Sequence, residues 1–385
     1  MVEFSYSEEQ RQICSLMEEC CDRYLNDRVY ADDASGTFRR DKWSRIAETG
    51  LLGLPFPASH GGAEQGMLTT ALAVRALARR CEDEGLVFSV CAQMSAAQVP
   101  LWIYGTKEQQ TRYLEPLIDG RYIGSSVITE PGAGSDSSAM TTLVEKHQEG
   151  YLLNGVKTFA TLAPDADVLL VYGKHANGLP MLDVSAFLLE AGQQEYSIGQ
   201  VFAKMGLRTS PMSEVLLNQT RLPPHRLLGR ERQGMGIFFK AMLWERIIVS
   251  AYHVGAMEQQ YAQTYQYASR RKQFGQAILS FEGVYDKLVQ MRIRLETGKL
   301  MLDQVCEDFD RGRCGMHSAS MLKLHTSESK VQNSLAAVQI WGAYGYVKES
   351  PPEKQMRDSL AAKLYSGTSE MQKKIMLEGL GEGYE

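Results

Sequence analysis

Basic charge is not in excess in this chain: 41 lysines and arginines face 46 aspartates and glutamates, for a net charge of -5. That balance gives no hint of a nucleic-acid partner, and none is expected. Cysteine is sparse, and the thiols at Cys14, Cys20, Cys21, Cys81, Cys91, Cys306 and Cys314 follow no metal-ligand spacing. The seven histidines are equally dispersed, so no metal is expected. An odd, scattered set of thiols fits a reducing compartment, and the cytoplasm is the expected location. The opening MVEFSYSEEQ lacks the basic and apolar segments of a signal sequence. No uninterrupted apolar run approaches membrane-spanning length, and no membrane partner is expected. Repeats and low-complexity tracts are missing too. Length, by contrast, is ample: 385 residues bury a large core and predict two or three domains.

Residues 1–122 read as helical. Ser7 to Gln10 form a capping box, followed by Ile13, Met17, Cys20 and Tyr24 at helical spacing. A helix over Asp41 to Glu48 ends at Gly50, and a Pro/Gly-rich loop, LLGLPFPASHGGAEQG, follows. Further helices are predicted near Thr69–Arg80, Phe88–Tyr104 and Lys107–Asp119. Arg39, Arg40 and Lys42 cluster where a helix starts, and read as solvated charge rather than a surface for an acidic partner. From 123 to 232 the apolar period changes to two, with turn dipeptides Glu149-Gly150 and Asn154-Gly155 and a closing Pro223-Pro224. From 233 onward long helices return, over Gly234–Ala268, Gly283–Gly312, Met316–Trp341 and Glu353–Tyr365. The predicted class is α+β and multidomain: an N-terminal helical domain (1–122), a middle β-domain (123–232) and a C-terminal helical domain (233–385).

Two stretches carry chemistry. In IGSSVITEPGAGSD, residues 123–136, a β-rich run breaks at Pro131 into small residues and hydroxyls. Such a bend brings amide N–H groups close to a flat or charged ligand, the carbonyl edge of an isoalloxazine and part of a pyrophosphate among them. A plain Gly/Pro loop leaving a strand is the competing reading. In AMLWERIIVSAYHVGAMEQQY, Met242, Ile248 and Tyr252 form an apolar stripe with Glu245 on it. A carboxylate there is costly unless paired or protonated, so its pKa should rise, as a general base requires. An interhelical salt bridge is the alternative.

The whole 123–136 segment resembles the flavin-binding strand and loop of the acyl-CoA dehydrogenase family, and the likeness runs along nearly all 385 residues. The resemblance implies that family's architecture of helices, β-domain and four-helix bundle, with FAD as cofactor. It assigns flavin contacts to Val127, Ile128, Thr129, Gly134 and Ser135. Phe159 and Thr161 stand where the family has Trp-x-Thr; the phenyl keeps an apolar wall but loses the indole donor. Phe159 is as readily an ordinary strand core residue. Arg271 and Phe274 in RRKQFG resemble the segment that reaches the adenosine half of a flavin held mainly by a neighbouring subunit. Gln339 and Gly342 match Gln-x-x-Gly-Gly, with Ala343 replacing the second glycine; Thr368 matches a hydroxyl near the diphosphate. Contacts crossing between chains imply a homodimer or homotetramer.

Family members use one glutamate to take the α-proton of a thioester while the β-hydride moves to the flavin. Often that glutamate precedes Gly-Thr late in the chain; here LYSGTSEMQKKI puts Ser366 there, which cannot be the base unaided. Other members take the base from a Glu-Arg pair on the earlier helix, and Trp244-Glu245-Arg246 matches them. The resemblance therefore assigns Glu245 as base, Arg246 as its electrostatic or structural partner, and Ser366 as an oxyanion donor through its main chain. Glu370 is the rival carboxylate, at a position that commonly contacts flavin. Leu243 replaces an aspartate found near CoA in short- and medium-chain members. GLVFSVCAQMSA, MLWER and LYSGTSEMQKKI look like the branch acting on aminoacyl groups held on carrier proteins. The expected activity is α,β-dehydrogenation of an L-prolyl phosphopantetheine thioester on an acyl or peptidyl carrier protein, giving a pyrroline or pyrrole carboxyl in natural-product biosynthesis. A short or branched acyl-CoA dehydrogenase and a non-catalytic relative are the alternatives. An electron-transfer flavoprotein or O2 would reoxidise the flavin.

Overall fold

The structure, a computed structural model, describes residues 6–176, 179, 182–192 and 196–378. Helix α1 (Glu8–Cys20) starts on the expected capping box: Ser7 accepts from the Gln10 amide and the Gln10 side chain accepts from the Ser7 amide. Next come α2 (Val29–Ser35), α3 (Arg40–Glu48), α4 (Met67–Arg80) and α5 (Glu84–Ala92). A wider, π-helical turn over Gln93–Gln98 joins α5 to α6 (Val99–Tyr104), and α7 (Lys107–Gln109) and α8 (Glu115–Ile118) close this part. Helix α3 ends where Gly50, at φ 79°, takes the left-handed conformation. One expectation fails here. Lys42 is not solvated: it is 1% exposed, donates to the Asp27 carbonyl and lies 3.4 Å from the Asp32 carboxylate.

Eight strands follow: β1 (Gly124–Val127), β2 (Leu143–His147), β3 (Gly150–Thr161), β4 (Val168–His175), β5 (Val184–Glu190), β6 (Ser197–Val201), β7 (Met212–Leu222) and β8 (Leu227–Leu228). They form one sheet in the order β6-β7-β3-β2-β4-β5-β8, with β1 paired to β4. Most neighbours are antiparallel, but β1 and β2 both run parallel to β4.

The C-terminal part has three long helices, α9 (Gly234–Arg270), α10 (Glu282–Asp310) and α11 (Met316–Trp341), and two short ones, α12 (Pro351–Leu360) and α13 (Ser369–Glu378). The apolar stripe expected on α9 is a full cylinder: every residue from Trp244 to Met257 is buried. It is wedged between α4, α5, α10 and α11, and a helix enclosed on all sides carries apolar residues on all sides. Gly255 permits the crossing with α4, since a Cβ there would lie 2.2 Å from the Arg75 carbonyl oxygen. The run Glu84–Tyr104 is long and apolar enough to cross a membrane, against the sequence expectation, but it is mostly buried inside the fold. Its first residue and the N-cap before it, Asp83, join all three parts. Asp83 Oδ1 accepts from Thr209 Oγ1 (2.5 Å), while Glu84 Oε2 accepts from Tyr252 (2.6 Å) and Lys330 (2.5 Å).

Candidate active site

Strands β1 and β2 lie end to end along the same edge of β4: Gly124–Val127 face Val168–Val171, and Leu143–Val144 face Lys174–His175. The TEPGAGSD loop is the excursion between them. Gln93 fixes its start, because its side chain accepts from the Gly124 amide (2.8 Å) and donates to the Leu117 carbonyl (3.1 Å). Glu130 fixes its interior. Its carboxylate, 3% exposed, accepts from Lys157 Nζ (2.8 Å) and from the amides of Thr141 (2.6 Å) and Thr142 (2.9 Å). Burial pushes the Glu130 carboxyl up, but the Lys157 ammonium and the threonine donors outweigh it and hold it at about 2. Lys157 also donates to the Ile128 carbonyl (3.1 Å) and carries the burial cost, which draws its own pKa down to about 8. The sequence reading missed this pair. Its signal was a lysine inside a strand, Lys157 in NGVKTF, with an acidic residue, Glu130, in the loop before it.

The loop is suited to a flat anionic cofactor. Pro131, Gly132, Gly134, Ser135 and Asp136 are exposed, and a Cβ at Gly132 or Gly134 would meet nothing within 4 Å. Val127 is buried beneath, with Ile128 and Thr129 partly exposed at the rim. Phe159 is not a core residue. A β-bulge between Lys157 and Ala160 turns its backbone to φ 53° and leaves the ring 56% exposed, 5.1 Å from Phe202. An uncovered aromatic wall beside an open glycine loop fits an isoalloxazine, with Thr161 partly exposed two residues on.

Glu245 lies in the buried centre of α9, 9% exposed, and forms no ion pair within 4.0 Å among the described residues. The interhelical salt bridge weighed against the base is therefore not what holds it. Its partner is a hydroxyl: Ser366 Oγ donates to Glu245 Oε1 at 2.5 Å. Burial pushes the Glu245 carboxyl up, more than Ser366, Arg246 and Lys323 pull it down. Arg246 turns away, donating to Ser320 Oγ (3.1 Å), and burial draws it down to about 10. Behind the turn, Lys323 donates to the Gly367 carbonyl (2.8 Å); burial and the nearby Arg246 draw it to about 7. Glu370, the rival, is exposed in the first turn of α13, where its local backbone lowers its pKa. Thr368 accepts from the Met371 amide (3.3 Å) at the start of that helix.

The remaining flavin candidates gather elsewhere. Arg271 lies over the Tyr344 ring at 5.8 Å, and Tyr267 stacks on Trp341 at 4.1 Å, bringing Phe274 and the Gln339–Gly342 segment to one end of the helices. Phe274 is 93% exposed. The 26 residues of α9 separating Glu245 from Arg271 span ~39 Å at a rise of ~1.5 Å per residue. Gly342 ends α11 at φ 59°, ψ -136°, a conformation suited to glycine, and it has no neighbour that a Cβ would strike. The tight approach falls instead at Gly345, where a Cβ would lie 2.6 Å from the Val338 carbonyl oxygen.

Comparison with known proteins accounts for this arrangement. Sequence models of the acyl-CoA dehydrogenase N-terminal, middle and C-terminal domains match residues 7–121, 125–220 and 232–381. An L-prolyl-[peptidyl-carrier protein] dehydrogenase from a Serratia species is 34% identical over 376 residues, covering 98% of this chain and 95% of its own. The solved structure of PigA with FAD and proline superimposes with a TM-score of 0.95 at 35% identity, covering 99% of both chains. That of the prolyl acyl carrier protein oxidase AnaB gives 0.95 at 36%, covering 98% of this chain and 100% of the other.

Proposed function

The chain belongs to the acyl-CoA dehydrogenase family, and from that premise we propose that it dehydrogenates an aminoacyl thioester, L-prolyl in particular, held on a carrier protein. The observation that carries the mechanism is Glu245: a buried carboxylate without an ion pair among the described residues, its proton affinity raised, beside a late position that holds serine. FAD is the cofactor. The chemistry it would supply is a hydride acceptor for the substrate Cβ. Glu245 takes the α-proton, which the thioester carbonyl acidifies. The Ser366 main-chain N–H, which makes no hydrogen bond among the described residues, is free to donate to the thioester oxygen as enolate character develops. Phe159 would wall the ring, and Glu130 with Lys157 holds the shape of the loop that would receive it. The prolyl group is supported by relatives that act on prolyl carrier proteins and by the serine at 366.

The adenosine contacts support a homo-oligomer. Arg271 and Phe274 lie just past the far end of α9, too far to serve the flavin beside their own Glu245, so a second copy supplies that flavin. An exposed apolar line on α10 (Tyr285, Val289, Ile293, Leu300) supports the same reading. Seven free thiols suit the cytoplasm. We take 1–122, 123–232 and 233–385 as the domains. Exposure of L-prolyl-loaded carrier protein to the enzyme tests the function by mass: loss of two hydrogens marks the pyrroline and loss of four the pyrrole. Flavin bleaching by isovaleryl-CoA, with none by the loaded carrier, would overturn the substrate and leave the base.

A further inference from the structure

We infer that a closed circuit of side chains, running from Ser366 through Tyr365, His253, Thr326 and Ser250 back to the Arg246 carbonyl, aims the Glu245 carboxylate at its substrate. The inference rests on Glu245 being the base. Ser366 is the point to be held. It sits at φ 56°, left-handed backbone that costs a non-glycine residue ~1 kcal/mol and persists only where its surroundings enforce it. Its carbonyl is gripped by Gln372 Nε2 (3.0 Å) and more loosely by Arg246 Nε (3.4 Å). The side chains of α9 reach this turn at two further points, eight residues apart on the helix and one residue apart on the turn. Glu245 accepts from Ser366 Oγ (2.5 Å), and His253 Nε2 meets the Tyr365 hydroxyl (2.6 Å).

The direction of the circuit follows from counting protons. The Arg246 carbonyl can only accept, so Ser250 Oγ donates to it (2.6 Å). Thr326 Oγ1 directs its single proton to Ser250 Oγ (3.2 Å), shared with the Lys323 carbonyl (3.3 Å), and either acceptor leaves none for His253. His253 Nδ1 must carry a proton to donate to Thr326 Oγ1 (3.1 Å), which leaves Nε2 to accept from Tyr365. All four of these side chains are buried or packed against the core, and Phe88 holds the Tyr365 ring at 4.4 Å. Burial, with Lys330 and Lys323 nearby, holds His253 well below the ordinary imidazole range, so the circuit stays neutral at physiological pH. Ser366 occupies Oε1 and leaves Oε2 for the α-hydrogen. Ser366 and Tyr365 are thus positioning residues in their side chains.

The charged and titratable groups facing Glu245 are Arg246 on α9, Lys323 on α11, Cys91 on α5, Tyr172 on β4 and Tyr365 itself. None of them changes in Ser366→Ala or Thr326→Val, so those variants isolate the circuit. Ser366→Ala and Tyr365→Phe should each lower kcat about tenfold with KM within about twofold, the pattern of a lost interaction made in the transition state. Both should move the acid limb of kcat to higher pH, because a donor to the ionised carboxylate is lost or misplaced. The double variant should be no worse than Ser366→Ala alone, since Tyr365 acts through Ser366. Thr326→Val should reproduce the Tyr365→Phe shift, and Thr326→Ser should restore the wild-type profile. Calorimetric binding of pyrrole-2-carbonyl pantetheine across pH should shift in step with the acid limb. Additive losses in the double variant, or an unmoved acid limb, overturn the circuit. If Tyr365→Phe does not yield FAD-loaded protein, Thr326→Val against Thr326→Ser decides: identical profiles overturn it. Glu245→Gln separates the two levels, because full turnover there removes the base assignment itself, whereas a dead Glu245→Gln with additive Ser366 and Tyr365 losses removes only the circuit.

Discussion

Two glutamates are buried on either side of the proposed reaction, and they are treated in opposite ways. Glu130, under the TEPGAGSD loop, has a lysine at 2.8 Å and two backbone amides, and its carboxyl is held at about 2. Glu245, on α9, has one serine hydroxyl and no ion pair among the described residues, and burial raises its pKa. A carboxylate that must never take a proton is surrounded by donors; one that must take a proton and give it back is left nearly alone. Burial on its own therefore does not mark a catalytic carboxylate. The partner list does.

Breaking the comparison at its reactive side gives the largest effect. Glu245→Gln should lower turnover by about a thousandfold, in the range of a lost general base, while FAD stays bound. The rate of flavin bleaching by the loaded carrier protein measures it, and a loss below about tenfold would sink the assignment. On the structural side, Lys157→Met leaves Glu130 buried and unpaired. It should cost about 3–5 kcal/mol and loosen FAD, read by urea denaturation and flavin release. An unchanged midpoint would mean the pair does not hold the loop.

Acid sharpens the contrast, since the two glutamates respond with opposite sign. Glu130 has a depressed folded-state pKa, so its stabilisation is complete above the ordinary glutamate value and is lost as pH falls from there towards 2. Glu245 has a raised one, so its ionised form costs stability at neutral pH and protonation relieves that cost as pH falls. Glu245→Gln should therefore melt above the wild type at neutral pH, by a margin that narrows on mild acidification. Calorimetric melting across pH checks it, and a constant margin would contradict the sign. The smallest effect on the fold is expected at Phe159, whose ring is largely exposed. Phe159→Ala should change stability by no more than about 0.5 kcal/mol yet weaken FAD binding about tenfold, measured by flavin titration.

The sequence by itself determined the α-then-β-then-α order, the cap at Ser7, the Gly/Pro loop after the first strand and the candidacy of Glu245, because each is written in local periodicity or in a contiguous motif. Only the tertiary structure decided what each buried charge meets. Lys42 looked solvated until Asp27 and Asp32 came within reach, and the partner of Lys157 was undecided until the sheet laid it against Glu130, 27 positions earlier. Phe159 left the core because a bulge shifted the strand's alternation, which no two-residue period predicts. Glu245 and Ser366 are 121 residues apart, and their hydrogen bond exists only because α9 and the turn before α13 pack together. Local pattern fixes which residues are candidates; the energy of a buried charge depends on distant neighbours that only the completed fold supplies.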